Sequence, residues 1–301
     1  MRIYAKDKYG KRSGWHVNEV GRGCTWNPIT GCNDISEGCR FCYARGVAEG
    51  CHLKQTALNA KRIAEGKPGL RHLGYQKPGV AGKFTPFPGA TLPGFGVELR
   101  WDKLKTLPPH GGKDRRVFVC ACSDLFHNSV PVDFVKGVFE ALARRPGTTY
   151  HVFSKRASRM PAVVSQALGG DSPRENLILG VTIESNKYVD RAEFLRQTPA
   201  AVRCLSLSPL LDSLPDLDLT DIDWVSLGSE CVRGKRNQGR PVQADWVRSV
   251  RDRCVSRGIP FMFTSWGQPS SNPDPKNDPS FPNDPHGGCF LDGVEWDQSP
   301  Q

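Results

Sequence analysis

From residue 116 onward the chain alternates short apolar runs with segments of helical period, and this alternation constrains the fold more than any other feature. The runs are RVFVCA (116–121), TYHVFS (149–154), LILGVTIE (177–184), VRCLSL (202–207), DWVSLG (223–228) and IPFMFT (259–264). Between most of them apolar residues recur at helical spacing, over 131–145, 157–168, 186–197 and 245–257. Strands joined by helices build a parallel sheet, and each helix returns the chain right-handedly. The runs are apolar throughout, as strands covered on both faces require. Adding a first strand near 25–30 gives about six to seven parallel strands, which suits a partial (β/α) barrel. The expected class is therefore α/β. A doubly wound open sheet is the alternative.

The rest of the chain divides by composition. Residues 1–23 are basic and read as an arm. Residues 24–267 hold the barrel, interrupted by a Gly/Pro-rich basic insertion at 67–115 with little regular structure expected. Residues 268–301 are rich in Pro, Asn and Asp and read as an irregular tail. No run of about 18 apolar residues occurs, so no membrane span is expected. The start, MRIYAKDKYGKRSGW, lacks an apolar core, so no signal peptide is expected and the cytoplasm is the expected compartment. Lys and Arg total 41 against 31 Asp and Glu, a net charge of +10. That balance favours DNA or RNA as a partner, though a solvated basic surface accounts for it equally well.

Eleven cysteines need an explanation. In a reducing compartment thiols stay reduced, which leaves metal ligation or burial. Cys24, Cys32, Cys39, Cys42 and Cys51 crowd into 28 residues. The segment TWNPITGCNDISEGCRFCYAR spaces Cys32, Cys39 and Cys42 as C-x6-C-x2-C. Thiolates bind iron–sulfur clusters, and three of them on a four-iron cluster leave one iron open. Structural zinc takes four ligands, and Cys24, Cys51 or His52 would supply the fourth, so spacing alone leaves both readings open. Gly31 and Gly38 precede two of the cysteines and imply a tight loop. Tyr43 follows the last one, either to pack on an adenine ring or to start the core face of a helix over 43–66.

Polar residues follow nearly every apolar run. Ser123, Asp124 and His127 follow the first, and Lys155 and Arg156 follow Ser154. Glu184, Ser185 and Asn186 come next, then Ser206 and Ser208, Ser229 and Glu230, and Ser265 and Trp266. Parallel β/α folds build their sites at the C-terminal ends of strands. Ser, Asp and Asn are also ordinary helix N-caps. Lys155, Arg156, Glu184 and Glu230 are not.

The stretches TWNPITGC, SEGCRFCYA, RVFVCACSDLFH, FSKRASRM, LGVTIES, SLSPLL, IDWVSLGSE, RPVQADWVRSVRDRC and IPFMFTSWG resemble, in order over 25–267, a phage and bacterial family of unknown function, the three-Cys-motif proteins. That family is similar to radical S-adenosylmethionine (SAM) enzymes. The resemblance implies a partial barrel of the radical SAM type and a 4Fe-4S cluster on Cys32, Cys39 and Cys42. It implies SAM on the open iron, reductively cleaved to a 5′-deoxyadenosyl radical. The usual radical SAM spacing is C-x3-C-x2-C, and here the first gap is six. By position, Tyr43 would lie near the adenine and Ser123 and Asp124 would meet the methionine amino group. Lys155 and Glu184 would bind the carboxylate or ribose, and Ser206, Glu230 and Trp266 would line the rim. His127, Arg156, Asn186, Ser208 and Trp266 are candidate substrate contacts. Ser208 stands where the family pattern has Glu, Ser229 where it has Gly, and Thr264 and Ser265 where it has Lys and Gln.

The expected function is a radical SAM-type enzyme acting on nucleic acid, in base modification or repair, with a flavodoxin or ferredoxin as reductant. Lys61, Arg62, Lys67, Arg71, Lys77 and Lys83, interleaved with Tyr75, Phe84 and Phe87, suit stacking on exposed bases. A duplex base would have to be flipped out. The alternatives are a radical SAM enzyme on a small molecule or peptide, and a non-catalytic zinc-stabilised nucleic-acid-binding protein.

Overall fold

A computed structural model describes residues 24–66, 95–110, 116–231, 239–279 and 287–300. The chain begins with β1 (Cys24–Trp26) and β2 (Ile29–Thr30), makes a 3-10 turn at Glu37–Cys39 and enters α1 (Tyr43–Ala64). β3 (Glu98–Leu99) and the single-turn α2 (Trp101–Leu104) follow. The repeat then runs β4 (Arg116–Val119), α3 (Val132–Ala143), β5 (Thr149–Ser154), α4 (Met160–Leu168), β6 (Leu177–Thr182), α5 (Arg191–Arg196), β7 (Val202–Leu207), β8 (Trp224–Leu227), α6 (Ala244–Ser256) and β9 (Phe261–Phe263). β10 (Phe290–Leu291) and β11 (Val294–Glu295) pair as a closing hairpin.

Seven strands form one sheet in the order β1-β4-β5-β6-β7-β8-β9, every pair parallel. A doubly wound sheet reverses its strand order at a switch point. Here the order follows the chain without reversal, so the sheet is a half-barrel flanked by helices. β5 and β7 have the bounds expected from sequence, and the other four runs are shorter by two or three residues. The helices lie where the periodicity places them. A 3-10 turn precedes both α4 (Ala157–Arg159) and α5 (Asn186–Tyr188).

The helices α3, α4, α5 and α6 each bury one stripe. On α3, Phe134, Val135, Val138, Phe139, Ala141 and Leu142 face inward. They join a core with Val117, Val119, Tyr150, Val152, Leu179, Val181, Leu205 and Val225 from the helix side of the sheet. Each such side chain contributes about 1.5–3 kcal/mol by leaving water. The strand residues between them point to the other face. There Ile178, Cys204, Trp224 and Met262 pack with Phe153 and Val202. Phe118 stacks on Phe153 at 5.6 Å, and His151 meets Trp224 edge-on at 5.9 Å. Gly180 has no side chain because the Phe153 ring takes that space, and a Cβ would also lie 2.7 Å from the Cys204 carbonyl oxygen. This aromatic layer is a filled floor. One step nearer the C-terminal ends, Thr182, Ser206 and Ser226 sit side by side in register and form a row of hydroxyls.

The two segments expected to be irregular are partly ordered where they meet the sheet. β3, from the end of the insertion, pairs antiparallel with β2, and Trp101 packs edge-on against Phe134 at 4.8 Å. Lys67, Arg71, Tyr75, Lys77, Lys83, Phe84 and Phe87 lie outside the described residues. At the other end, residues 296–298 run antiparallel along β9, with Phe263 N–H donating to the Trp296 carbonyl (2.9 Å) and Gln298 N–H to that of Phe261 (3.2 Å). An uncovered edge strand exposes unpaired backbone groups, and this segment pairs them. Among the described residues no helix is long and apolar enough to cross a membrane.

Candidate functional site

Residues 31–42 link β2 to α1 and lie across the C-terminal ends of the strands. Gly31 starts the crossing at φ +82°, a left-handed conformation that glycine adopts without steric cost. It pairs with Ser123 in an isolated parallel bridge, and Ser123 Oγ donates to the Ile29 carbonyl (2.9 Å). Asn27 Oδ1 accepts the Cys122 N–H at 3.1 Å. These bonds fix the start of the loop to the end of β4.

Arg156, just past β5, fixes the next stretch. Its Nη2 donates to the Asn33 carbonyl (3.1 Å) and to Asn33 Oδ1 (2.7 Å), and lies 3.9 Å from Cys32 Sγ. His127 Nε2 bonds the same Asn33 Oδ1. A guanidinium only donates, so this atom of Asn33 is the oxygen. His127 Nδ1 accepts the Ser129 N–H (3.1 Å), so Nε2 carries the ring proton. Burial and then the Arg156 charge push His127 down to about 4, so the ring is neutral at pH 7. Asp124 is buried beside this network. It accepts from Ser154 Oγ (2.8 and 3.0 Å), Phe126 N–H (2.9 Å) and Lys155 N–H (3.3 Å).

The end of β6 holds the middle of the loop. Glu184 is fully buried and accepts from Arg191 Nη1 at 2.8 Å. Gly38 rests on its carboxyl, since a Cβ there would lie 3.1 Å from Glu184 Cδ. Tyr188 (2.5 Å) and Ser185 (3.3 Å) donate to the Glu37 carboxylate. The Tyr188 bond holds Glu37 below the ordinary carboxylate range and pushes Tyr188 up to about 12. From the far side Arg240 donates to the Glu37 carbonyl (2.8 Å) while bound to the buried Glu230 carboxylate.

The three cysteines ride on this braced loop, each half-buried and none in a disulfide. Cys39 ends the 3-10 turn with Sγ 3.8 Å from Ser36 Oγ, and Cys42 is the N-cap residue of α1. Cys32 and Cys42 both pack against Ala44, Ala48 and Phe95. Burial, and then Asp124, push the Cys32 thiol up to about 12; Arg156 opposes this, and Cys39 and Cys42 add to it. Cys39 and Cys42 are thus each within electrostatic reach of Cys32.

The remaining candidates fall into two groups. Lys155 is half-buried at the mouth, and among the described residues its ammonium has no hydrogen-bond or ion-pair partner. Tyr43 starts α1, packs in the Phe95 cluster and donates its hydroxyl to the Ala121 carbonyl after β4. Ser206 belongs to the hydroxyl row, and Ser208 lies against Gly228. The others point elsewhere. Asn186 exchanges bonds with Asp216 on the outer rim. Trp266 is fully buried, its indole N–H donating to the Phe290 carbonyl (3.0 Å).

A model of the family described as "Protein of unknown function (DUF5131)" matches residues 22–300. The chain belongs to this family. No curated protein and no solved structure matches it. Among the described residues of this family member, no group of three His, Cys, Asp or Glu side chains is arranged to hold a metal ion. An iron–sulfur cubane differs from a single ion, because its irons sit at separate corners and its thiolates need only face a shared space. Cys32, Cys39 and Cys42 are three half-buried thiols on one loop, the residue type that such a cluster takes. Sequence reasoning missed Asn33, Glu37, Tyr188, Arg191 and Arg240. Asn33 and Glu37 lie on the loop itself, while Tyr188, Arg191 and Arg240 come from three other segments, and no local spacing links them.

Proposed function

We propose that this protein is an iron–sulfur enzyme of the radical SAM type, with Cys32, Cys39 and Cys42 as ligands of a 4Fe-4S cluster. One observation carries the reading: a loop bearing three thiols is braced across the C-terminal mouth of a parallel half-barrel. When bound, the cluster would supply one electron to the SAM sulfonium and one open iron for its amino acid end.

The chain's own residues would do the rest. The unpartnered Lys155 ammonium is suited to a carboxylate. Thr182, Ser206 and Ser226 offer hydroxyls to ribose or substrate, above a floor of aromatic rings that keeps water from below. Glu184 and Glu230 are each paired with an arginine, which fixes their carboxylates beside the loop, and among the described residues Glu184 Oε1 keeps an unpartnered acceptor there. Nucleic acid is the proposed substrate class, on the net charge of +10, and a low-potential flavodoxin or ferredoxin the proposed donor.

Anaerobic purification with iron and sulfide analysis tests the centre, and 5′-deoxyadenosine formation from SAM under reductant tests the activity. We expect about four irons per chain, as a 4Fe-4S cluster contains. A colourless protein with tetrahedral zinc would sink the reading. Binding of DNA or RNA that weakens steeply with salt supports the substrate class, and salt-independent or absent binding removes it.

A further inference from the structure

We infer that Arg156 is a positioning residue for the cluster, setting its reduction potential by holding a positive charge against Cys32. The inference rests on the cluster assignment above and goes beyond it.

Arg156 is nine-tenths buried, at 9 % exposure. Among the described residues no carboxylate forms an ion pair with it, and its Nε has no hydrogen-bond partner. Asp124 takes its hydrogen bonds from Ser154 and from the Phe126 and Lys155 amides, so its charge acts on Arg156 through space and not by contact. Every side-chain bond Arg156 makes goes to the cysteine loop, at Asn33 and Cys32. A buried cation with no carboxylate in contact is costly. Its cost is offset if the group beside Cys32 is negative. A four-iron cluster on three thiolates carries net negative charge in both oxidation states, and more in the reduced one. The charge of Arg156 therefore stabilises the reduced state more, which raises the potential. The step itself is simple: one electron passes from an external low-potential donor to the cluster, and no bond is made or broken. His127 and Asn33 serve the same end. They fix the guanidinium by sharing one amide oxygen between a neutral imidazole and the arginine.

The test is an EPR-monitored dithionite titration of the reconstituted protein, with iron content measured on every sample. Arg156→Gln should keep its iron and show a midpoint shifted to more negative potential. Arg156→Lys should stay close to wild type. Asp124→Asn removes the opposite charge acting on the same sulfur and should shift the midpoint the other way, which keeps the inference testable if Arg156→Gln fails to fold. Loss of iron in Arg156→Gln but not in Arg156→Lys also supports the role of charge. An unshifted Arg156→Gln, or equal shifts in the Gln and Lys variants, overturns the inference while the cluster assignment stands. An iron-free wild type overturns the assignment, and this inference with it.

Discussion

Cys39, Gly38 and Glu184 each have a different job. On the proposed ligand assignment Cys39 supplies a sulfur and little packing, so Cys39→Ala should keep the fold by circular dichroism and lose the iron. Full iron content in that variant would contradict the ligand assignment. Gly38 is a matter of space. A methyl group there meets a carboxyl that cannot move away, because Glu184 is fully buried and tied to Arg191. Gly38→Ala should destabilise by about 1–3 kcal/mol in urea unfolding, the range for overpacking. Arg191→Met has the larger predicted effect. It leaves the Glu184 carboxylate buried without a counter-charge, and breaking a buried pair costs about 3–5 kcal/mol. The same measurement checks it, and a loss below about 1 kcal/mol would mean that water reaches the site. The sequence marks the cysteines and the two glycines of this loop. It does not mark Arg191 as the partner of Glu184, although seven positions separate them, because the pairing runs from a strand end to a helix start across a 3-10 turn.

The strands carry two patterns at once. Along β6 all six residues are buried, which reads in sequence as one apolar run. Only the pairing register shows that Leu177, Leu179 and Val181 meet the helices while Ile178, Gly180 and Thr182 meet the opposite face. Gly180 is where the two rings of that floor have no slack. Gly180→Ala would put a methyl group into the Phe153 ring and against the Cys204 carbonyl oxygen. We expect a loss of about 1–3 kcal/mol or more, read by thermal unfolding. A Tm equal to wild type would show that the floor is loosely packed. The helices of the repeat, α3 to α6, are legible because each has one buried stripe. The short stretch β2–β3 is not, since two-residue strands carry too little pattern to distinguish from loop.

At the scale of the whole molecule, acid is the expected weakness. Burial, with the Arg116 charge, pushes His151 down to about 3, and burial with Arg156 pushes His127 down to about 4. Unfolded, both take up a proton near 6.5. Between these values the unfolded chain binds more protons than the folded one, so stability is full above about 6.5 and falls as the pH drops towards about 3. Urea midpoints measured from pH 7 to pH 4 should decline, and His151→Gln should flatten the decline if the variant folds. A constant midpoint would contradict the burial of both rings. The sequence by itself determined the class, the strand count and the tight cysteine loop, because those follow from local period, apolar runs and the spacing of a few residue types. The tertiary structure alone decided that the sheet is a half-barrel rather than doubly wound, that residues 296–298 cover the β9 edge, and that Glu184 and Glu230 are paired with Arg191 and Arg240. Strand order and ion pairing are relations between residues far apart in the chain, fixed by which surfaces meet on folding, and no local pattern encodes them.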